Sequence, residues 1–321
     1  MDLIYTNTAH EDAGVLKDYR LDLAFGSDEN DFELTLDAND HCCGTNCLVY
    51  IEGTEYGGII DAINIVTGED KLTYKGRTWH GILASKVIEP DLGASHLIVS
   101  GEVNMVIRDI LDRIGLSDLF TTLEVDSGMR VDEYQFDRYI DAYSGINKML
   151  ATVSGKLKFA FTTDKVIISA LPIVDYSQDE QFSNDNVEME IEKRDNTVNH
   201  LICLGKGELA QREVIHLYRD ASGNISEKQA YFGLQEITAV FDYPNAESTT
   251  ELMKDGTEKL LEYASENSLR MDFAPEEATF DVGDIVGAME LITETFATEK
   301  ITKKIVTIEH GSVNIQYKVG E

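Results

Sequence analysis

Over residues 1–89, short stretches alternate apolar with polar positions and are punctuated by Gly, Asn and Asp. A period of two puts every second side chain on one face, which is the mark of a half-buried strand. Leu48–Glu52, Gly58–Val66 and Lys71–Trp79 are the clearest predicted strands, and Phe32–Leu36 follows the acidic turn Gly26-Ser27-Asp28-Glu29-Asn30-Asp31. After Glu89-Pro90-Asp91 and Gly93 the period lengthens to that of a helix. Ser100 stands where it could cap a helix carrying Val103, Val106, Ile107, Ile110, Leu111 and Ile114 on one stripe, and Gly115 closes it. A second helix is predicted over 140–153, ending at Ser154-Gly155 and followed by strands Lys156–Thr162 and Lys165–Leu171. Helix and hairpin together form an α+β unit.

The polar, acidic stretch 175–186 marks a linker. Beyond it, Val187–Ile191, Val198–Leu204, Val214–Tyr218 and Lys228–Phe232 are predicted strands, with Asp220–Asn224 as a hairpin tip. One helix interrupts them, opening at Ser248 or Thr249 and placing Leu252, Leu260, Leu261 and Ala264 on its buried face. Three closing strands are predicted at Ile285–Leu291, Ile301–Glu309 and Ser312–Val319, with Gly311 in the last turn. The expected fold class is α+β and β-rich, with domains over 1–89, 90–176 and 177–321. The first and last regions share no residue-level self-similarity, and no repeat of about 20 to 50 residues appears, so solenoids and propellers find no support.

At 321 residues the chain is long enough for two or three domains, and its 43% hydrophobic content excludes wholesale disorder. It carries 27 basic and 59 acidic side chains, a formal charge of −32. Nucleic-acid binders gain affinity by setting Lys and Arg against phosphates, so specific nucleic-acid binding is not expected. Nor is membrane insertion, because no apolar run approaches the roughly 18 residues of a spanning helix. Met1-Asp2-Leu3-Ile4-Tyr5-Thr6 has no basic segment leading into an apolar core, so synthesis in a cytoplasm is expected.

Candidate chemistry is sparse. His41, Cys42, Cys43 and Cys47 have identities that suit zinc but lack a second pair downstream, and Cys203 is distant. His200 and Cys203, three apart on a strand, point to opposite faces; a Cys203–His216 dyad would need the two to meet across a hairpin. Gly205-Lys206-Gly207-Glu208-Leu209-Ala210 matches a dinucleotide fingerprint formally, yet the strand-like Arg212–Arg219 stands where that motif needs a helix. Asp37, Asn39 and His41 resemble the start of a calcium loop, but Cys42 and Leu48 replace its Gly and Glu. Trp79, the single Trp, ends a predicted strand with His80 and reads as a domain-interface anchor or a sugar platform. No catalytic, cofactor-binding or metal residue is assigned.

Five segments carry a family resemblance: Tyr56-Gly57-Gly58-Ile59-Ile60-Asp61, Tyr74-Lys75-Gly76-Arg77-Thr78-Trp79, Tyr139-Ile140-Asp141-Ala142-Tyr143, Val198-Asn199-His200-Leu201-Ile202 and Val282-Gly283-Asp284-Ile285-Val286. In this order they make the whole chain resemble the hub proteins of bacteriophage and prophage tails, the siphophage tail-tip proteins related to the baseplate hub of contractile tails. The resemblance implies a homotrimer in which two β-barrel-like units per subunit flank an α+β unit and close a ring continuing the tail tube. It implies a virion-tail location, other tail proteins (distal tail, tube, tip) as partners, no cofactor, and a structural role for Gly283 and Asp284 in a turn. Many such proteins carry a further fibre or wall-degrading region; this sequence stops at Glu321, so no module of that kind is expected. A structural, non-enzymatic tail hub is the leading expectation. The alternatives are a tail-associated cell-wall hydrolase using Cys203 or a carboxylate pair, and a carbohydrate-binding module presenting Trp79.

Overall fold

In the computed structural model the described residues are 1–66, 68, 70–177, 181–183, 189–192, 197–246, 248–264, 268–273 and 280–320. They form an α+β, strongly β-rich fold of two compact units. The first comprises Met1–Met189, Arg270–Ala288 and Thr298–Glu321; the second comprises Glu190–Leu269 and Met289–Ala297.

The first unit is built on an antiparallel sheet whose alternation is visible in the sequence. In strand Arg20–Gly26, Leu21, Leu23 and Phe25 are buried, while in Asp31–Asp37 the buried positions are Phe32, Leu34 and Leu36. Register places Leu21 opposite Leu34, Leu23 opposite Phe32, and Leu34 opposite Tyr74 of Lys71–Thr78. On its other edge, Arg20–Gly26 pairs with Thr295–Glu309, matching Leu21 to Ile308 and Leu23 to Val306. The first and last strands thus share one core layer. Gly57–Ile65, Leu48–Tyr50, Leu3–Thr6 and Asp12–Leu16 extend the sheet beyond Lys71–Thr78, and Ser312–Val319 extends it beyond Thr295–Glu309. Gly58 lets two of these strands close up, because a Cβ there would lie 2.0 Å from the Arg77 carbonyl oxygen.

A second core in the same unit gathers three helices and a small sheet. Helix α1 (Trp79–Ala84) begins where a longer strand was expected; the Thr78 hydroxyl accepts from Gly81 N and starts the helix. Helix α2 (Val103–Arg113) buries the predicted stripe through Val103, Val106, Ile107, Ile110 and Leu111, and Gly115 follows its end at φ +70°. Its cap differs from expectation: Glu102 accepts from Met105 N, while Ser100 Oγ accepts from Glu133 N and stays in strand Ile98–Glu102. Helix α3 (Ala142–Ala151) is capped by Asp141, which accepts from Ser144 N at 2.9 Å. Strands Gly155–Thr162 and Lys165–Pro172 form the expected hairpin, and Phe120–Thr122 joins it in parallel.

The second unit has a four-stranded sheet ordered Ile225–Ser226, Val214–Arg219, His200–Leu204, Thr238–Asp242. Asp220 organises its hairpin tip by accepting from Ser222 N and Asn224 N. Helix α4 (Thr249–Ala264) covers one face with Leu252 and Leu260, and the Ser248 hydroxyl accepts from Glu251 N at its start. Leu261 is half exposed rather than buried, because the inward line runs through positions 252, 256 and 260; the Ala264 side chain lies outside the described residues. No strand forms at Lys228–Phe232. The free edge of His200–Leu204 is taken instead by Thr238–Asp242 in parallel, with Ala239 and Phe241 turned toward the helix-covered core. Of the predicted strand 187–191, residues 187 and 188 lie outside the described residues, and Met189–Glu192 is a strand. Within the 175–186 stretch, 178–180 and 184–186 lie outside them too, and Gln181–Ser183 is a strand.

Candidate functional site: a buried lysine and aspartate clasp

Strand Gly155–Thr162 alternates Lys156 and Lys158 with Leu157 and Phe159. On this core-facing hairpin Lys156 is only 6% exposed. Its Nζ donates to both carboxylate oxygens of Asp284, at 2.6 and 2.7 Å, and to Asp281 at 3.2 Å. Asp284 is 1% exposed, and its remaining capacity is spent on backbone: Oδ2 accepts from Asp281 N at 2.9 Å and Oδ1 from Val174 N at 3.0 Å. Gly283 precedes it at φ +98°, a conformation that costs glycine little and other residues much. The turn joins its neighbours through Gly283 N to Ile301 O, Ile301 N to Asp284 O, and Ile285 N to Val174 O. One carboxylate therefore ties the end of the α+β hairpin to the closing strands.

Around this pair the charges continue. Lys158 Nζ donates to Asp281, and Lys304, 3% exposed, donates to Glu55 at 2.6 Å. Rings of Phe25, Tyr56 and Tyr317 lie 5.8 to 6.0 Å from the Lys304 ammonium, close enough for cation–π attraction. Burial alone would lower the Lys304 pKa, but Glu55 and the two tyrosines outweigh it and raise it above the ordinary lysine value. Burial would likewise raise Asp281; the Lys158 hydrogen bond and the charges of Lys158, Lys156 and Lys304 hold it below the usual carboxylate range. Three lysines against three carboxylates make a neutral, internally paired cluster. Cationic, hydrogen-bonded lysines are poor nucleophiles and bases, so what this arrangement does is clasp.

His80 borders the cluster. It lies parallel to Phe25 at 4.7 Å and tilted on Phe159 at 4.0 Å, and its Nδ1 has no hydrogen-bond partner among the described residues. Burial, reinforced by the Lys304 and Lys158 charges, pushes its pKa down to about 3, so it is neutral at physiological pH.

The residues singled out in the sequence fall elsewhere. Trp79 is wholly buried and stacks on Phe161 at 5.5 Å, so it is not presented as a sugar platform. Cys203 faces α4, and strand register sets it opposite Ile215 while His216 pairs with Ile202 on the other face, so the Cys203–His216 dyad does not form. Burial pushes the Cys203 thiol up to about 11. His41 Nδ1 sits 2.8 Å from the Tyr74 hydroxyl, and Cys43 is buried with its thiol raised to about 12. Asp37 accepts from Asn39 N and caps a single 3-10 turn. Gly205–Ala210 bridges two antiparallel strands through a short 3-10 turn at Leu209–Gln211. The clasp's lysines carry little signal in the sequence except at Lys304, which falls in phase with the buried Val306 and Ile308 on an alternating strand.

The architecture that holds the clasp is the fold of phage and prophage tail proteins. The chain is similar over 100% of its length, and 96% of the other, to a tail protein from Neisseria meningitidis MC58 (13% identity, TM-score 0.54). It is similar over 99% of its length, and 98% of the other, to the 43 kDa tail protein of prophage MuSo2 from Shewanella oneidensis (10% identity, TM-score 0.58). Prophage tail protein gp18 from Listeria monocytogenes EGD-e gives 99% and 94% coverage, 9% identity and a TM-score of 0.58. No family model and no curated protein sequence matches the chain. Among the described residues no helix is long and apolar enough to cross a membrane.

Proposed function

We propose that this chain is a structural hub of a phage or prophage tail: a protein that assembles as a homotrimeric ring, continues the tail tube toward the tip, and lets DNA pass. The observation that carries this reading is likeness of fold along essentially the whole chain to three tail proteins. The partners are further copies of the chain and the neighbouring distal tail, tube and tip proteins, and the location is the virion tail. The surplus of acidic over basic residues fits a bore that repels the phosphates of transiting DNA. Light scattering with negative-stain imaging, alone and after co-expression with neighbouring tail proteins, tests the proposal. Three-subunit annuli are expected; particles that never form a ring in either preparation overturn it. A basic or uncharged bore in an imaged ring would overturn the electrostatic part alone.

A further inference from the structure

In the second unit one face of the four-stranded sheet is covered by α4, which takes Leu201, Cys203 and Leu217 into its core. The alternate residues lie on the opposite face. There His200 and His216 are diagonal neighbours on adjacent strands, because register sets Tyr218 opposite His200 and His216 opposite Ile202. His200 Nε2 and His216 Nδ1 are 2.8 Å apart. The other nitrogen of His200, Nδ1, lies 2.8 Å from Glu236 Oε1 and 3.1 Å from Thr238 Oγ1. Glu236 is itself steadied by Gln229, whose amide donates to it at 3.0 Å, and the Tyr218 ring stacks on His200 at 4.3 Å. His200 is 8% exposed, whereas His216 is open to solvent.

We propose that His200 and His216 form a two-imidazole chelate for a first-row divalent cation of the nickel, copper and zinc group. With the His200 Nδ1 proton donated to Glu236, Nε2 presents a lone pair to His216. His216 presents a second lone pair when its proton moves from Nδ1 to Nε2, a tautomer change that releases no proton. The ion then sits to one side of the line joining the two nitrogens, because bonds of about 2.0–2.1 Å to both cannot be made on it. Nitrogen ligands bind such ions at about 2.0–2.1 Å, which sets two adjacent nitrogens about 3.0 to 3.4 Å apart. The separation of the two nitrogens grows by only about half an ångström, and the exposed His216 ring has room to swing off the hydrogen-bond axis so that its lone pair meets the ion. Imidazole selects this group of metals over calcium and magnesium, which take oxygen. Glu236 supplies the carboxylate that fixes the tautomer of a metal-bound histidine and raises its basicity. Among the described residues no three His, Cys, Asp or Glu side chains are arranged to hold a metal ion, so the remaining positions belong to water.

Calorimetric titration of nickel into the full-length, tag-free chain tests the site. One equivalent should bind to the wild type and be lost in His216→Ala, and Glu236→Gln should bind about 10- to 100-fold more weakly. His310→Ala, on an exposed turn of the first unit, should bind as the wild type does. His216→Ala gives up its hydrogen bond to the buried His200, so each variant is compared with itself, and only the wild type should gain stability when nickel is added. Nickel affinity equal in the wild type and His216→Ala overturns the proposal, as does the absence of nickel binding to the wild type.

Discussion

Lys156 and Asp284 stand 128 residues apart in sequence, yet the lysine donates to both oxygens of the aspartate with both side chains buried. A buried pair of this kind gains little over an apolar pair of equal size, but removing one member strands a charge in a medium that cannot solvate it.

Asp284→Asn should therefore destabilise the first unit by about 3–5 kcal/mol, read as a lower urea midpoint. Lys156→Met should lose a comparable amount: Asp284 keeps two backbone donors, Asp281 N and Val174 N, just as Lys156 keeps Asp281 at 3.2 Å in the converse variant. The double variant Lys156→Met/Asp284→Asn should fall short of the sum of the single losses, because the two residues share one interaction.

Stability should fall with pH in two steps. His80 is held neutral, with its pKa lowered from 6.5 to about 3, so the unfolded chain binds the proton that the folded chain refuses. Stability is full above pH 6.5 and declines toward pH 3, by at most about 1.4 kcal/mol per pH unit from this one group. Asp281 adds a second loss below the ordinary aspartate value of 3.8, since its lowered pKa makes the folded form prefer the carboxylate. Urea titrations of the wild type and His80→Phe across this range should show the first slope missing in the variant.

Gly256→Ala reverses the usual helix rule. Alanine in a helix interior normally stabilises by about 1 kcal/mol over glycine, but a Cβ at 256 would lie 2.5 Å from Cys203 Sγ and 3.0 Å from Leu217 Cδ1. The variant should melt earlier than the wild type. Adding Cys203→Ala, which removes the opposing sulfur, should recover part of the loss, and a double-mutant thermal-melt cycle measures the coupling.

Glu102→Ala removes the acceptor for Met105 N at the start of α2 and the partner of Ser127 N, at 2.9 Å each. A loss of about 1–2 kcal/mol is expected. Ser100→Ala should leave α2 intact, because that hydroxyl serves Glu133 N instead; helix amide exchange distinguishes the two.

Much of the fold was legible because its signals are local. The stripe through Val103, Ile107 and Ile110, the alternation of Leu21, Leu23 and Phe25, and the Asp220 tip each follow from residues within a few positions of one another. The helix cap was misplaced by two residues because Ser100 and Glu102 are both competent acceptors, and tertiary contacts alone decide which is used. Thr238–Asp242 was missed for another reason: its parallel partner lies across a long crossover, and the aromatic run Tyr231-Phe232 gave a stronger local signal than the strand itself. The clasp lay furthest from reach. Gly283-Asp284 announced a turn, yet nothing near residue 284 names Lys156, and Glu55 and Lys304 are separated by 249 positions. Only the alternatives that use Cys203 as a nucleophile and Trp79 as a sugar platform fail on burial, which residue identity does not reveal.

The pairing of Arg20–Gly26 with Thr295–Glu309 has a temporal meaning. Thr307 donates to Asp22 across 285 positions, so an early strand emerging from the ribosome must wait for that much of the chain to follow before its edge is satisfied. Such long-range closure is slow and leaves an open strand edge exposed meanwhile. Truncated products ending before residue 295 should therefore aggregate rather than accumulate as soluble fragments.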